Sequence, residues 1–268
     1  MALSRPVALT IAGSDSSGGA GVVADLKVFE ALGVWGTVAV AAVTAQNSFG
    51  VSATHLVPPE IIEAQIAAVA GDVTVAAAKT GMLGSAGGVA AAAHGLAQAG
   101  IRHLVVDPVL RSSHGQALLA DDALDGLRRQ LLPRATVVTP NLPEASALVG
   151  RPVANRQDME AAARELRDMG PSLVLLKGGH LEGGSSADLI WDGDGPQWLE
   201  APRLAAHHTH GTGCVLSAAI CAYLALGEPP AQACRRAKRF VTAAIKAGGP
   251  LGRGIGPVNP TGSPAAPG

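Results

Sequence analysis

From Val7 to Leu204 the chain alternates short apolar runs of strand-forming residues with segments of helical character, and this rhythm limits the folds open to it. VALTIAG precedes AGVVADLKVFEALG, TVAVAAVTA precedes PPEIIEAQIAAVAGD, VTVAAAKTG precedes AGGVAAAAHGLAQAG, and IRHLVVDPV precedes DDALDGLRRQL. ATVVTPN then leads into two helical pieces, and SLVLLKGG into SADLIWDG and PQWLEAPRL. The strand runs are apolar throughout rather than every second residue, as strands covered on both faces must be. This predicts an α/β fold with a doubly wound, mostly parallel central sheet, helices on both faces, and an antiparallel strand pair late in the chain. Two helices close the pattern: Gly213 to Leu226, apolar almost all round and therefore central, and Ala231 to Ala247, whose Arg235, Arg236, Lys238 and Arg239 mark a solvated flank. No long linker interrupts it, so residues 1–257 read as a single domain. Residues 258–268, VNPTGSPAAPG, are small and Pro-rich and are expected to be a disordered tail.

A chain of 268 residues with 48% hydrophobic content can bury a large core. Its net charge of −1, with Lys and Arg scattered, argues against nucleic acid or an anionic membrane as partner and for small molecules. Cys214, Cys221 and Cys234 form no C-x-x-C pair and read as reduced thiols. The N-terminal MALSRPVALTIAG suits a first strand better than a signal peptide. The apolar stretch Cys214 to Leu226 falls short of the roughly 20 residues of a membrane span. The expectation is a soluble, cytoplasmic protein.

In open α/β sheets ligands bind beyond the carboxyl ends of the strands, so the residues that follow each run carry the information. They are GSDSSGGAG, TAQN, KTGM, DPVL, TPNLPE and KGGH, a polar and glycine-rich set that a purely structural sheet does not need. The loop Gly13 to Gly21, with four glycines, matches neither G-x-x-x-x-G-K-S/T nor an ordered G-x-G-x-x-G, and serves equally well as a flexible turn. Asp25, about one turn into the next helix, reads either as a solvated helix residue or as a group facing the site.

In HGTGC, Gly211, Thr212, Gly213 and Cys214 fall at a helix N-terminus, where unpaired N–H groups and a partial positive charge can cradle an anion. The same field favours a thiolate, which makes Cys214 a candidate base or nucleophile; the plain alternative is a small apolar residue opening a buried helix. Cys221 and Cys234 read as packing residues. His207, His208 and His210 lack the spacing of a zinc site. Asp107, Asn141 and Glu144 all follow strand ends and can hold Mg²⁺ through waters with phosphate oxygens, although Glu144 also suits the first turn of any helix.

Together these residues resemble the hydroxymethylpyrimidine and phosphomethylpyrimidine kinases of thiamine biosynthesis, within the ribokinase-like superfamily. The likeness runs from about Val7 to Pro257 through TIAGSDSSGGAG with ADLK, TAQN, KTGML, DPV, TPNLPEA, LLKGGH and THGTGC with LSAAI. The resemblance implies ATP-dependent phosphorylation of the hydroxymethylpyrimidine and then of its monophosphate, with ATP, Mg²⁺ and a further candidate, K⁺, as cofactors, and a homodimer. It implies that Gly13, Asp25, Thr44, Gln46, Met82 and Val109 bind the pyrimidine. Asn141 and Glu144 then match an N-x-x-E motif near phosphates and Mg²⁺, with Asp107 beside them as a second metal residue. Lys177 and the loop Gly211 to Cys214 would neutralise the transferring phosphoryl group. Cys214 takes the place where sugar kinases of the superfamily carry an aspartate base. His207 and His208 depart from the pattern expected before Thr209. Close relatives with the same cysteine loop phosphorylate pyridoxal or pyridoxine, which is the second reading; a pyrimidine sensor without turnover is a third. A nicotinamide-dependent oxidoreductase is disfavoured because the first loop lacks the ordered glycines.

Overall fold

The computed structural model describes residues 5–110, 118, 120, 122–179 and 185–262. Asp121, His180 and the 263–268 part of the expected tail lie outside them. The elements follow in the order β1 (Val7–Gly13), α1 (Gly21–Ala31), β2 (Trp35–Asn47), β3 (Gly50–Leu56), α2 (Pro59–Ala70), β4 (Val75–Thr80), α3 (Ala86–Gln98) and β5 (His103–Val106). After these come α4 (Ala123–Gly126), β6 (Val137–Val138), α5 (Leu142–Val149), α6 (Arg156–Asp168), β7 (Leu173–Leu176), β8 (Ser185–Trp191), β9 (Pro196–Pro202), α7 (Thr212–Ala225) and α8 (Pro230–Lys246).

Among the described residues the strands form one nine-stranded sheet in the order β3-β2-β1-β4-β5-β6-β7-β8-β9. The strands from β2 through β1, β4, β5 and β6 to β7 run parallel, and the expected late antiparallel pair is β8 with β9. Successive strand residues face opposite layers. Leu9, Ile11, Ala78, Val106 and Val138 pack under α2, α3, α5 and α6. Ala8, Ala77, Val105 and Val137 meet α1, α7 and α8 on the other face. Two-sided burial explains the unbroken apolar runs. In α7 every residue from Val215 to Leu224 is buried, as its all-round apolar sequence requires.

Two features differ from expectation. β3 pairs antiparallel with β2 and makes a sheet edge, yet GVSATHL is mostly exposed and so lacks the apolar pattern by which the other strands are recognised. Its turn is fastened by Asn47, whose Oδ1 accepts the Phe49 N–H at 2.9 Å. The chain after Pro257 does not leave the body at once: Val258 is buried, its N–H donates to the His210 carbonyl at 3.0 Å, and the Asn259 N–H donates to Ala244 at the same distance. Among the described residues no helix is long and apolar enough to cross a membrane.

Candidate functional site

The chain leaves β1 for β2 on one side and returns to β4 on the other, so a crevice must open beyond the carboxyl ends of β1 and β4. The Gly13 N–H donates to the Met82 carbonyl at 3.0 Å and ties the two strand ends together. A Cβ on Gly13 would stand 3.0 Å from Met82 Sδ, so a glycine is what lets the methionine in. Beyond these ends the described residues enclose a cleft of about 1070 Å³. Gly13, Gln46, Met82 and Val109 line one part of it; Asp107, Asn141, Glu144, Lys177 and Gly211 to Cys214 line another.

Two expected acceptor residues stand behind this surface. Asp25 is fully buried, accepts from Lys79 Nζ at 2.9 and 3.0 Å and from the Thr10 hydroxyl at 2.6 Å, and does not line the cleft. Thr10 and Lys79 are register partners on β1 and β4, so the carboxylate closes a polar cluster under the floor. Burial alone would lower the Lys79 ammonium, but the Asp25 carboxylate raises it well above its ordinary value. Thr44 is buried too, its hydroxyl 2.7 Å from the Ser14 carbonyl and 3.2 Å from the Gln46 amide.

The other end of the cleft is built from three strand ends. Asn141 caps α5 by accepting the Glu144 N–H at 2.8 Å, and Glu144 returns the contact by accepting the Asn141 N–H at 2.8 Å. This capping box holds the Glu144 carboxyl inward. Lys177, after β7, places Nζ 3.1 Å from Asp107 Oδ1 and 3.7 Å from Glu144 Oε2. Asp107 also accepts from the Thr139 hydroxyl at 3.0 Å and the Ser217 hydroxyl at 3.2 Å. Burial raises Glu144 to about 7, against the pull of Lys177. Burial would lower Lys177, but Asp107 and Glu144 hold it above its ordinary value. Among the described residues no three His, Cys, Asp or Glu side chains group as a metal cage. Two carboxylates beside one lysine are a donor set for a hydrated hard cation that draws its remaining oxygens from phosphate and water.

Over this cluster α7 begins without a side-chain cap. Its N-cap, Gly211, has φ +81°, and a Cβ there would lie 1.8 Å from the Gly19 carbonyl oxygen, so the turn can close only with glycine. The Thr212 N–H bonds the Thr209 carbonyl at 3.3 Å, and Gly213 and Cys214, which line the cleft with Lys177, bring the open end of the helix to it. Burial pushes the Cys214 thiol up to about 11, with the Lys79 charge and the Gly21 N–H pulling the other way. The histidines scatter: His208 Nδ1 accepts the Gly256 N–H at 2.9 Å, while His210 Nε2 lies 2.7 Å from Asp15 Oδ2. Lys79, Asp15 and His210 were missed as site residues. A lysine inside an apolar strand was the available signal for the first. Nothing in the sequence pairs the other two, which are 195 positions apart.

The pattern of the phosphomethylpyrimidine kinase family matches residues 15–259. The hydroxymethylpyrimidine/phosphomethylpyrimidine kinase of Streptomyces coelicolor is 51% identical over 95% of this chain and 94% of its own. The thiamine biosynthesis bifunctional protein ThiED of Geobacter sulfurreducens is 47% identical over 95% of this chain, which spans only about half (52%) of that longer protein. Among solved structures, the ADP complex of Bacillus subtilis pyridoxal kinase superposes with a TM-score of 0.91 at 38% identity, covering 97% of this chain and 98% of that one. The fold is thus the ribokinase-like one, and by sequence pattern and full-length likeness this chain belongs to the phosphomethylpyrimidine kinase family.

Proposed function

We propose that the protein transfers the γ-phosphoryl group of ATP to the hydroxymethyl oxygen of 4-amino-5-hydroxymethyl-2-methylpyrimidine, and then transfers a second phosphoryl group to the monophosphate, in thiamine diphosphate biosynthesis. The observation that carries this reading is convergence: an amide- and methionine-lined pocket, a thiol and an uncapped helix N-terminus meet over Lys177 in one cleft. Gly13, Met82 and Val109 hold the ring, and Gln46 contacts its polar edge. Gly211 and Gly213 present backbone donors to the transferring group, Thr212 holds the loop by bonding the Thr209 carbonyl through its N–H and hydroxyl, and Lys177 adds a fixed cation where negative charge grows. As the bond from the γ-phosphorus to ADP breaks and the bond to the acceptor oxygen forms, the hydroxyl proton passes to Cys214 Sγ. Asn141 keeps the Glu144 carboxylate turned inward, where it and Asp107 fit Mg²⁺. When bound, the ion supplies charge neutralisation on the phosphate oxygens.

The likeness to a pyridoxal kinase supports a second reading, phosphorylation of pyridoxal or pyridoxine at the same cleft. A coupled ADP-release assay with hydroxymethylpyrimidine, its monophosphate, pyridoxal and a sugar separates the two. Turnover confined to the two pyrimidines supports the first reading. Equal ADP release with and without any acceptor overturns both. Repeating the assay with K⁺ or Na⁺ as sole monovalent cation tests the second ion that the resemblance implies. The family likeness also supports a homodimer, which light scattering of the purified protein tests, and the three free cysteines suit the reducing cytoplasm.

A further inference from the structure

The Gln46 amide sits where its two ends meet groups of fixed hydrogen-bonding sense. One end is 3.4 Å from His210 Nε2 and the other 3.2 Å from Thr44 Oγ1. Thr44 Oγ1 lies 2.7 Å from the Ser14 carbonyl, which can only accept, so the hydroxyl proton is spent there and Thr44 can only accept from Gln46. His210 Nε2 lies 2.7 Å from Asp15 Oδ2. Asp15 already accepts from the Ser17 N–H and hydroxyl at 2.8 Å each and from the Ala20 N–H at 2.9 Å, so it is an ionised acceptor and Nε2 carries the proton. Burial would raise Asp15, but the bonds from His210 and Ser17 hold it below its ordinary value. An amide nitrogen toward His210 would set donor against donor. Half a turn of the amide, which leaves its outline unchanged, puts the NH₂ toward Thr44, which accepts it, and the oxygen toward the His210 ring N–H, whose one proton is held mainly by Asp15, so that no donor faces a donor.

We propose that Asp15 and His210 are positioning residues that fix this sense of the Gln46 amide and so make the cleft select an acceptor with an amine beside a ring nitrogen. The proposal rests on the assignment of Gln46 to the acceptor's polar edge. With the amide locked, its free oxygen lone pair and its second N–H present one acceptor and one donor in a set order. An aminopyrimidine offers the complementary donor and acceptor on adjacent atoms. A ring without the amine leaves the amide oxygen unmatched, which a buried site penalises. A Gln46 free to turn would present either order and lose that discrimination.

The test measures KM for hydroxymethylpyrimidine, for its analogue lacking the 4-amino group and for MgATP in the wild-type enzyme, Gln46→Ala, Asp15→Asn, His210→Leu and His210→Gln. It adds Asp15→Asn and His210→Leu in the Gln46→Ala background. The expected result is a rise of about tenfold or more in KM for the aminopyrimidine in Asp15→Asn and His210→Leu, with a smaller preference over the deaminated analogue. KM for MgATP should stay within about twofold. His210→Gln, which keeps an N–H near the Nε2 position, should recover most of the loss, and neither change should add to Gln46→Ala. If Gln46→Ala leaves the pyrimidine KM unchanged, the assignment of Gln46 itself fails. If Gln46→Ala raises it but the Asp15 and His210 changes do not, or act additively with it, the positioning role is overturned. A parallel rise in the MgATP KM would mean that His210 acts on the neighbouring phosphate loop instead.

Discussion

Cys214 carries a conflict between its position and its environment. The helix N-terminus and Lys79 favour a thiolate, yet burial leaves the thiol at about 11, so near neutral pH the base form is a small fraction. Transfer to the neutral alcohol should therefore quicken about tenfold per pH unit between roughly pH 7 and 9. Transfer to the monophosphate, whose acceptor oxygen is already ionised, should stay level. Cys214→Ala should lower single-turnover transfer to the alcohol by about 10² to 10⁴ and flatten its pH profile, with a much smaller loss for the monophosphate. Equal losses for both acceptors would reduce the thiol to a loop-packing role. Glu144 yields a second expectation, for stability. Its folded-state value of about 7 lies above the 4.5 of an ordinary glutamate, so folding favours its protonated form. That contribution is complete below about pH 4.5, is lost as pH rises to about 7, and is constant beyond. In the ligand-free protein in EDTA, Glu144→Gln keeps the oxygen that Asn141 needs. Its urea midpoint should gain on wild type across that window and run parallel above it; a constant difference would show that the carboxyl is not titrating there. The motifs made Cys214 and Glu144 legible as site residues. They could not give Asp25 its depth, because a helix face turned to a cleft and one turned to the floor beneath it occupy the same stripe.

The start of α7 is where an element, rather than one side chain, performs the chemistry, and two of its glycines are there for different reasons. Gly211 is required by the backbone: φ is +81° and an added Cβ would meet the Gly19 carbonyl at 1.8 Å. Gly213 is not, since its Cβ would stand 3.5 Å from Lys177 Nζ and 3.9 Å from Asp107 Oδ2, ordinary contact distances. Gly211→Ala should cost at least about 1–3 kcal/mol of stability in a denaturant titration and should pull the phosphate loop off the loop after β1. Gly213→Ala should melt no lower than wild type, because alanine is the better helix residue by up to about 1 kcal/mol. Its methyl group nevertheless stands beside Lys177, where a phosphate must approach, so turnover should fall. If Gly213→Ala turned over normally, the transferring group would not pass along this face of the helix. Sequence distinguished the strongly patterned α7 well, as an all-round apolar helix, whereas the Asn141–Glu144 capping box that opens α5 emerged only in the structure. It missed β3, which at a sheet edge buries little and so carries no apolar signature.

At the scale of the whole molecule the alternating pattern was enough to read the sheet, because strands covered on both faces must be apolar throughout. It could not show that one covered layer holds an ion pair. Lys79 on β4, Asp25 on α1 and Thr10 on β1 meet with no exposure between the sheet and the α1 and α7 layer, and Lys79 also borders the cleft floor beside Cys214. Buried pairs of this kind are poor sources of stability, since desolvation of two charges offsets their attraction; breaking one strands a charge in the core. Lys79→Met should therefore destabilise the protein by about 3–5 kcal/mol. Lys79→Met combined with Asp25→Leu and Thr10→Val, which removes the whole polar cluster, should return most of that loss. The two readouts then separate. If the cluster is kept for its field at the cleft floor, the triple variant should refold to near wild-type stability in urea while its turnover with hydroxymethylpyrimidine stays at least about tenfold down, the loss of a cation that favours the Cys214 thiolate. If stability and turnover recover together, the pair is a packing solution between two layers and the chemistry of the cleft is set by Lys177 and the α7 terminus alone.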